Sequence, residues 1–270
     1  MGIRVFAFDM DGTVLSPDKV VTARTNAALN ALMARGIVCV PTTGRGGIPM
    51  IFQALGRRDF PYLVMANGAI VWDLTHNKML RHVVIDAEEA AALVERLMRP
   101  GVVLYLNLDD ETGTRLGWCQ DDEQSRLVHA GDTSWNEPLV ADLAGEVRRR
   151  GIGVRKVGLR FAPGMSEKPF FELARELGLV AATASTRNVE YGPAGVSKAG
   201  GLEVVCQHLG CTMADVCAIG DSGNDAQMLS AAGLGVAMGN ADDNARAVAD
   251  EITGPNSADG LAEFVERRLL

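Results

Sequence analysis

Two carboxylates two residues apart, Asp9 and Asp11, stand at the end of an apolar run, Ile3 to Phe8, that only Arg4 interrupts. At the mouth of a buried strand such acids repel one another and lose hydration unless a cation compensates them. A hard divalent ion with oxygen ligands meets that need. Mg2+ suits it, because it takes one or two protein carboxylates, keeps several waters and accepts phosphate oxygens. Gly12 lets the chain turn away sharply after the second acid. The same residues also read as a strand followed by an Asp-Gly hairpin turn with no chemistry.

Two more turns follow apolar runs. Ile37 to Val40 leads through Pro41 into Thr42-Thr43-Gly44-Arg45, where a strand-to-helix junction offers amides and a hydroxyl to an anion. A plain capping turn explains it equally well. Val216 to Ile219 ends in Gly220-Asp221-Ser222-Gly223-Asn224-Asp225. Asp225 reads either as a ligand or as a first-turn acid favoured by the helix dipole. Lys198, near a helix start, reads either as a solvated surface lysine or as the cation of a site. In an open parallel sheet, ligands collect beyond the carboxyl ends of the strands, so turns distant in sequence can meet in one crevice.

The intervening elements must deliver these turns. Val14 to Val21 is expected as an extended excursion, with Thr22 capping a helix that stops at Gly36. A helix over Ile48 to Leu55 and a strand over Tyr62 to Ala66 continue a strand and helix alternation that implies parallel strands. Asn67-Gly68, between apolar runs, predicts a tight hairpin into Ala69 to Trp72. Beyond Arg81 the pattern changes. Helices are expected over Asp86 to Arg99 (with an Asp86 and Glu89 capping box), Pro138 to Arg150 and Ser166 to Leu177. Strands are expected over Val102 to Leu108 and Val154 to Phe161, with a polar, hairpin-like segment over Asp109 to Trp135. After the linker-like Gly192 to Gly195, helices are expected from Val196 to Leu209, Ala226 to Ala232, Asn240 to Asp250 and Ser257 to Arg268, with a strand at Leu234 to Met238. The expected fold is α/β: a Rossmann-like parallel-sheet core, residues 1–81 and 192–270, with helices on both faces and an inserted α+β cap domain, residues 82–191.

Composition narrows the class. At 270 residues with 47% hydrophobic residues the chain can bury a sizeable core. A net charge of −8 disfavours nucleic acid and anionic membranes as partners. Met1-Gly2-Ile3-Arg4 shows no signal-peptide pattern, and five cysteines without a C-x-x-C pair fit a reducing compartment, so a cytoplasmic protein is expected.

The ordered set Asp9 to Thr13 (D-x-D-G-T), Thr43 to Arg45 (T-G-R), Ser197-Lys198 and Gly220 to Asp225 (G-D-S-x-N-D) resembles the haloacid dehalogenase superfamily. The insert, with Asn67-Gly68-Ala69 and Val236 to Ala241, is similar to its Cof-like, type IIB, cap-bearing phosphatases. Pro41 and Gly200-Gly201 depart from that branch's usual pattern, the glycines loosening the helix after Lys198. The resemblance implies that Asp9 is the nucleophile forming an aspartyl-phosphate, and that Asp11 is the general acid and then base. It implies Mg2+ held by Asp9, Asp11 through its carbonyl, Asp221 and Asp225, and substrate phosphate bound by Thr43, Gly44 and Lys198. Arg45 is left between a structural bond and a substrate contact. The insert would act as a lid, with Tyr105, Arg115 and Trp118 weighed between substrate contact and ordinary packing or solvation. The implied activity is hydrolysis of a small phosphorylated metabolite, a sugar phosphate or phosphorylated cofactor, by a monomer or homodimer. The alternatives are a phosphomutase or phosphotransferase using the same intermediate, or a non-catalytic phospho-ligand binder.

Overall fold

The computed structural model describes residues 2–109, 115–126 and 138–270. In chain order its main elements begin with β1 (Val5–Phe8), α1 (Ala23–Ala34), β2 (Val38–Pro41), α2 (Ile48–Leu55), β3 (Tyr62–Met65), β4 (Ile70–Asp73) and β5 (Lys78–His82). Next come α3 (Ala87–Leu97), β6 (Val102–Asp109), β7 (Arg115–Gln120), β8 (Leu139–Val140), α4 (Leu143–Arg150), β9 (Val154–Phe161), α5 (Lys168–Leu177), β10 (Val180–Ser185) and β11 (Asn188–Gly192). The chain closes with α6 (Lys198–Leu209), β12 (Val216–Gly220), α7 (Ala226–Ala231), β13 (Leu234–Ala237), α8 (Asp243–Val248), β14 (Glu251–Ile252) and α9 (Gly260–Arg268). Contacts divide it into two compact units, Met1–His82 with Ser197–Leu270, and Val83–Val196.

The first unit is built on a parallel sheet in the order β14-β13-β12-β1-β2. Such a sheet is buried on both faces, which is why β1 and β12 are apolar throughout and wholly buried. Val5, Ala7, Val40 and Ala218 pack with Leu202 and Val205 of α6, Met228 and Leu229 of α7, and Ala245 of α8. Phe6 and Phe8 alternate to the other face, where Phe8 meets Phe60 edge-on at 5.6 Å and Cys39 touches the Leu29 carbonyl of α1. A single parallel bridge, Thr42 to Val64, joins β2 to β3, which then starts an antiparallel β3-β4-β5 sheet.

The second unit is an α+β layer. Among the described residues its sheet runs β10-β11-β9-β6-β7-β8, antiparallel except for β7 with β8. Leu104, Leu106, Val157 and Leu159 face a core shared with Leu93 and Val94 of α3, Val147 of α4 and Phe170 of α5. Trp118 belongs to this core, under the guanidinium of Arg150 at 4.6 Å. Tyr105 lies on the other side, with Val103 and Cys119, and its hydroxyl bonds to Asn188 and Glu190. The side chain of Arg115 and residues 110–114 and 127–137 of the expected hairpin segment lie outside the described residues.

Several expectations are corrected. Val14 to Val21 forms turns, not an extended strand. The hairpin expected at Asn67-Gly68 is present, β3 pairing antiparallel with β4 from Met65 and Ile70 outward, and its loop is longer than Asn67-Gly68 alone: Ala66 to Gly68 form a 3-10 turn with all three residues at positive φ. The helix expected from Pro138 starts only at Leu143, because Leu139 and Val140 pair with β7 and Asp142 supplies the cap. Asp86 accepts from the amide of Glu88, so its cap is not the box expected with Glu89. The closing helices begin later than expected, at Asp243 and Gly260. Strands β5, β10, β11 and β14 had no clear sequence signal, being half-exposed, alanine-rich or two residues long. Pro41 sits without disruption at the end of β2, opposite Phe8.

Candidate active site

Hydrogen bonding between neighbouring strands sets the site. The Asp9 amide donates to Ile219 at the end of β12, and the Thr42 amide donates to Phe8 at the end of β1. The acidic turn after β1 therefore lies between the turns after β2 and β12, as the switch-point rule requires.

Lys198 joins these turns. Ser197 caps α6 with its hydroxyl on the Gly200 amide, and Lys198 follows as the first helical residue, with no exposed surface. Its Nζ lies 2.5 Å from Asp9 Oδ1 and 2.6 Å from Asp225 Oδ1. The surface-lysine reading is thereby overturned. Of the two glycines that depart from the branch's pattern, Gly201 has a packing reason: a Cβ there would lie 2.5 Å from Val64 Cγ1 and 3.0 Å from Gly68 Cα. A Cβ on Gly68 would meet the Ser197 carbonyl at 1.9 Å. Backbone contact at these two glycines seats the start of α6 against β3 and its turn.

The acidic turn after β12 is tied by its own last residue. Asp225 is fully buried, and its Oδ2 accepts the amides of Asp221 and Ser222, each at 3.0 Å. Asp221 Oδ1 accepts the hydroxyl of Thr13 at 2.9 Å. Gly12 has φ +90°, and a Cβ there would lie 2.2 Å from Asp221 Oδ2, so only glycine allows this approach. Asn240 Nδ2 donates to the Gly12 carbonyl at 2.9 Å, and Asp242 accepts the Gly223 amide. Thr13, Asn240 and Asp242 were not singled out from the sequence as site residues. Thr13 and Asn240 bond to partners in the other half of the chain, and Asp242 to Gly223 in the same half, bonds that spacing alone does not mark.

Burial sets the electrostatics. It pushes the Asp9 carboxyl up to about 7, against the pull of Lys198 and with further upward pressure from Asp225 and Asp221. Burial likewise raises Asp221 to about 6, although Thr13 opposes the rise. Burial disfavours the charge on Lys198, but Asp9 and Asp225 together outweigh it and hold the pKa above the ordinary lysine value. Asp9, Asp221 and Asp225 offer oxygens within 4.8 Å of one another. One ammonium among three carboxylates, Asp9 and Asp225 buried and Asp221 half-buried, leaves negative charge uncompensated, and an all-oxygen donor set of this kind fits a hard divalent ion.

Asp11 is placed differently. Its carboxylate turns to Arg45, bidentate at 2.8 and 2.9 Å, and to Lys19 at 3.1 Å. Arg45 is the main cause holding its carboxyl below the usual range. The structural reading of Arg45 therefore applies in this state. Thr43 is buried, its amide donates to Val64 and its hydroxyl accepts the Arg45 amide at 3.1 Å. Gly44 faces Asn67, whose Oδ1 would lie 3.1 Å from a Cβ at that position and accepts from Asn224 at 3.2 Å.

Residues 6–265 match the haloacid dehalogenase-like hydrolase family. The chain is a haloacid dehalogenase-like hydrolase. This hydrolase is 30% identical over 270 residues to the 5-amino-6-(5-phospho-D-ribitylamino)uracil phosphatase of Bacillus subtilis, covering 99% of the chain and 96% of the relative. It is 29% identical over 283 residues to the pyridoxal phosphate phosphatase of Escherichia coli, with both chains fully covered. Among solved structures, a phosphatase of the superfamily from Bacteroides thetaiotaomicron superposes with a TM-score of 0.79 at 26% identity, covering 98% of the hydrolase and 95% of that chain. A subclass IIB sugar phosphatase superposes with a TM-score of 0.78 over 98% of both chains; at 23% identity that likeness is one of fold. The hydrolase is a phosphoric monoester hydrolase. Among the described residues no helix is long and apolar enough to cross a membrane.

Proposed function

We propose that this hydrolase is a Mg2+-dependent phosphatase of a small phosphorylated metabolite, a sugar phosphate or phosphorylated cofactor, acting in the cytoplasm through an aspartyl-phosphate on Asp9. The observation that supports it most is the buried Asp9 to Lys198 to Asp225 chain. Lys198 opposes the protonation that burial favours at Asp9 and positions one of its oxygens, leaving the other to attack phosphorus. Lys198 then faces the negative charge that spreads over the transferring group, where positioning and charge neutralisation provide most of the catalysis. Asp9, Asp221 and the Asp11 carbonyl would hold the metal, with Asp225 acting through its bonds to the Asp221 amide and Lys198. Bound Mg2+ would supply charge to the phosphate oxygens and to these carboxylates. Thr43 and Gly44 would receive phosphate oxygens at the turn after β2.

Asp11 would serve the two half-reactions in opposite protonation states. Paired with Arg45 it is a carboxylate, the form that activates water against the phosphorylated Asp9. To protonate the leaving alcohol it must first leave Arg45 and take up a proton. The relatives named above act on a phosphorylated ribitylamino-uracil and on pyridoxal phosphate, which supports a phosphorylated cofactor or its precursor as substrate class.

The test is phosphate release from a panel of sugar phosphates, nucleotides, phosphorylated cofactors and an aryl phosphate, with Mg2+ or chelator, for wild type and Asp9→Asn. Metal-dependent release lost in the variant is expected. Turnover that persists in Asp9→Asn would overturn the mechanism, and an isomerised phosphate with little free phosphate would replace hydrolysis by a mutase reaction.

A further inference from the structure

A second cluster of ligand atoms lies at the other end of α6. Asp73 ends β4 with its carboxylate buried, 1% exposed, and Oδ1 fixed by the amides of Thr75 and His76 at 2.9 and 3.1 Å. Its Oδ2 lies 2.7 Å from His76 Nδ1 and 3.3 Å from His208 Nε2. The three ligand atoms fall within 4.8 Å of one another. His208 is the penultimate residue of α6, with its ring edge-on to Tyr62 at 5.8 Å, while His76 lies in the β4 to β5 turn. Ten residues of helix separate His208 from Lys198, about 15 Å at 1.5 Å per residue, so the cluster is separate from the catalytic one.

We propose that Asp73, His76 and His208 form a binding site for a divalent transition metal, zinc in the first instance. Two imidazoles and one carboxylate are a borderline donor set suited to zinc and poorly suited to Mg2+. Bonds of about 2.0–2.1 Å in a tetrahedral site place ligand atoms about 3.3 Å apart; Asp73 Oδ2 stands at 3.3 Å from His208 Nε2, His76 Nδ1 is nearer at 2.7 Å, and all three atoms lie within 4.8 Å, so a modest turn of the exposed His76 ring would complete the site. The turn amides on Oδ1 orient the carboxylate, as supporting hydrogen bonds do around metal ligands. Both rings reach solvent, at 70% and 37% exposure, so the ion has an entry path and room for water as the remaining ligand. Bound there, the ion ties the β4 to β5 turn to the last turn of the helix whose first residue is Lys198.

The test uses Zn2+ alone as probe on chelator-stripped full-length protein, with Mg2+ in large excess, reading zinc stoichiometry after equilibrium dialysis and affinity by calorimetry. One equivalent is expected for wild type and for Asp221→Asn. His76→Gln and His208→Gln change exposed side chains and are expected to retain the fold, checked by circular dichroism, while each weakens zinc binding at least about tenfold. No bound zinc in wild type would overturn the proposal and leave one imidazole hydrogen-bonded to the Asp73 carboxylate and a second beside it. Zinc binding unaffected by the histidine variants, or lost in Asp221→Asn, would also overturn it.

Discussion

Asp11 and Arg45 form a bidentate pair, Nε to Oδ2 at 2.8 Å and Nη2 to Oδ1 at 2.9 Å, that links the turn after β1 to the turn after β2. The pair is partly exposed, so its worth to stability is small, roughly 0–1 kcal/mol. Its worth to chemistry is larger, because it keeps Asp11 as the carboxylate that activates water. Arg45→Ala is expected to leave the thermal midpoint nearly unchanged and to move the acidic limb of the pH-rate profile to higher pH, since the chief cause of the low Asp11 pKa is removed. Steady-state kinetics from pH 4.5 to 8 would check this, and an unmoved limb would show that Asp11 is not the titrating acid.

Removing Lys198 has a different cost. Lys198→Met leaves Asp9 and Asp225 buried without their shared cation. Breaking a buried pair on one side costs about 3–5 kcal/mol, and losing a positioned charge at a transferring phosphoryl group costs on the order of 100- to 1,000-fold in rate. Urea unfolding and phosphate release would measure the two losses separately.

Gly12→Ala combines a left-handed φ with a Cβ only 2.2 Å from Asp221 Oδ2. The backbone strain alone is worth about 1–3 kcal/mol. Displacement of Asp221 should weaken Mg2+ binding more than it lowers stability. Titrating Mg2+ against activity would show a raised half-saturating concentration.

Without metal, Asp9 and Asp221 make stability depend on pH. Each keeps its proton in the folded state above the ordinary value of 3.8, Asp221 to about 6 and Asp9 to about 7, while the unfolded chain has released it. Folding then binds protons across that window, so stability falls as pH rises from about 4 to about 7. Thermal midpoints in chelator should fall between pH 5 and 7.5. Mg2+ should raise them more at pH 7.5, because it binds the ionised carboxylates. An equal Mg2+ effect at both pH values would count against these two groups as ligands.

Much of this protein was legible in its sequence because the signals are local. The apolar runs before Asp9, Thr42 and Asp221 read as buried strands, and Thr22 caps and Gly36 stops a helix through bonds within four residues. The spacing of Asp9 and Asp11, and of Asp221 and Asp225, identified acids at strand ends. What the sequence could not decide was which carboxylate meets which cation, because that depends on residues brought together from opposite ends of the chain. Tertiary structure decided that Lys198 lies between Asp9 and Asp225 and that Arg45 takes Asp11. It also decided that Gly68 and Gly201 meet backbone to backbone. Coulomb energy and desolvation act through distance in space, so the protonation states of this site were settled only when the two halves of the sheet closed on each other.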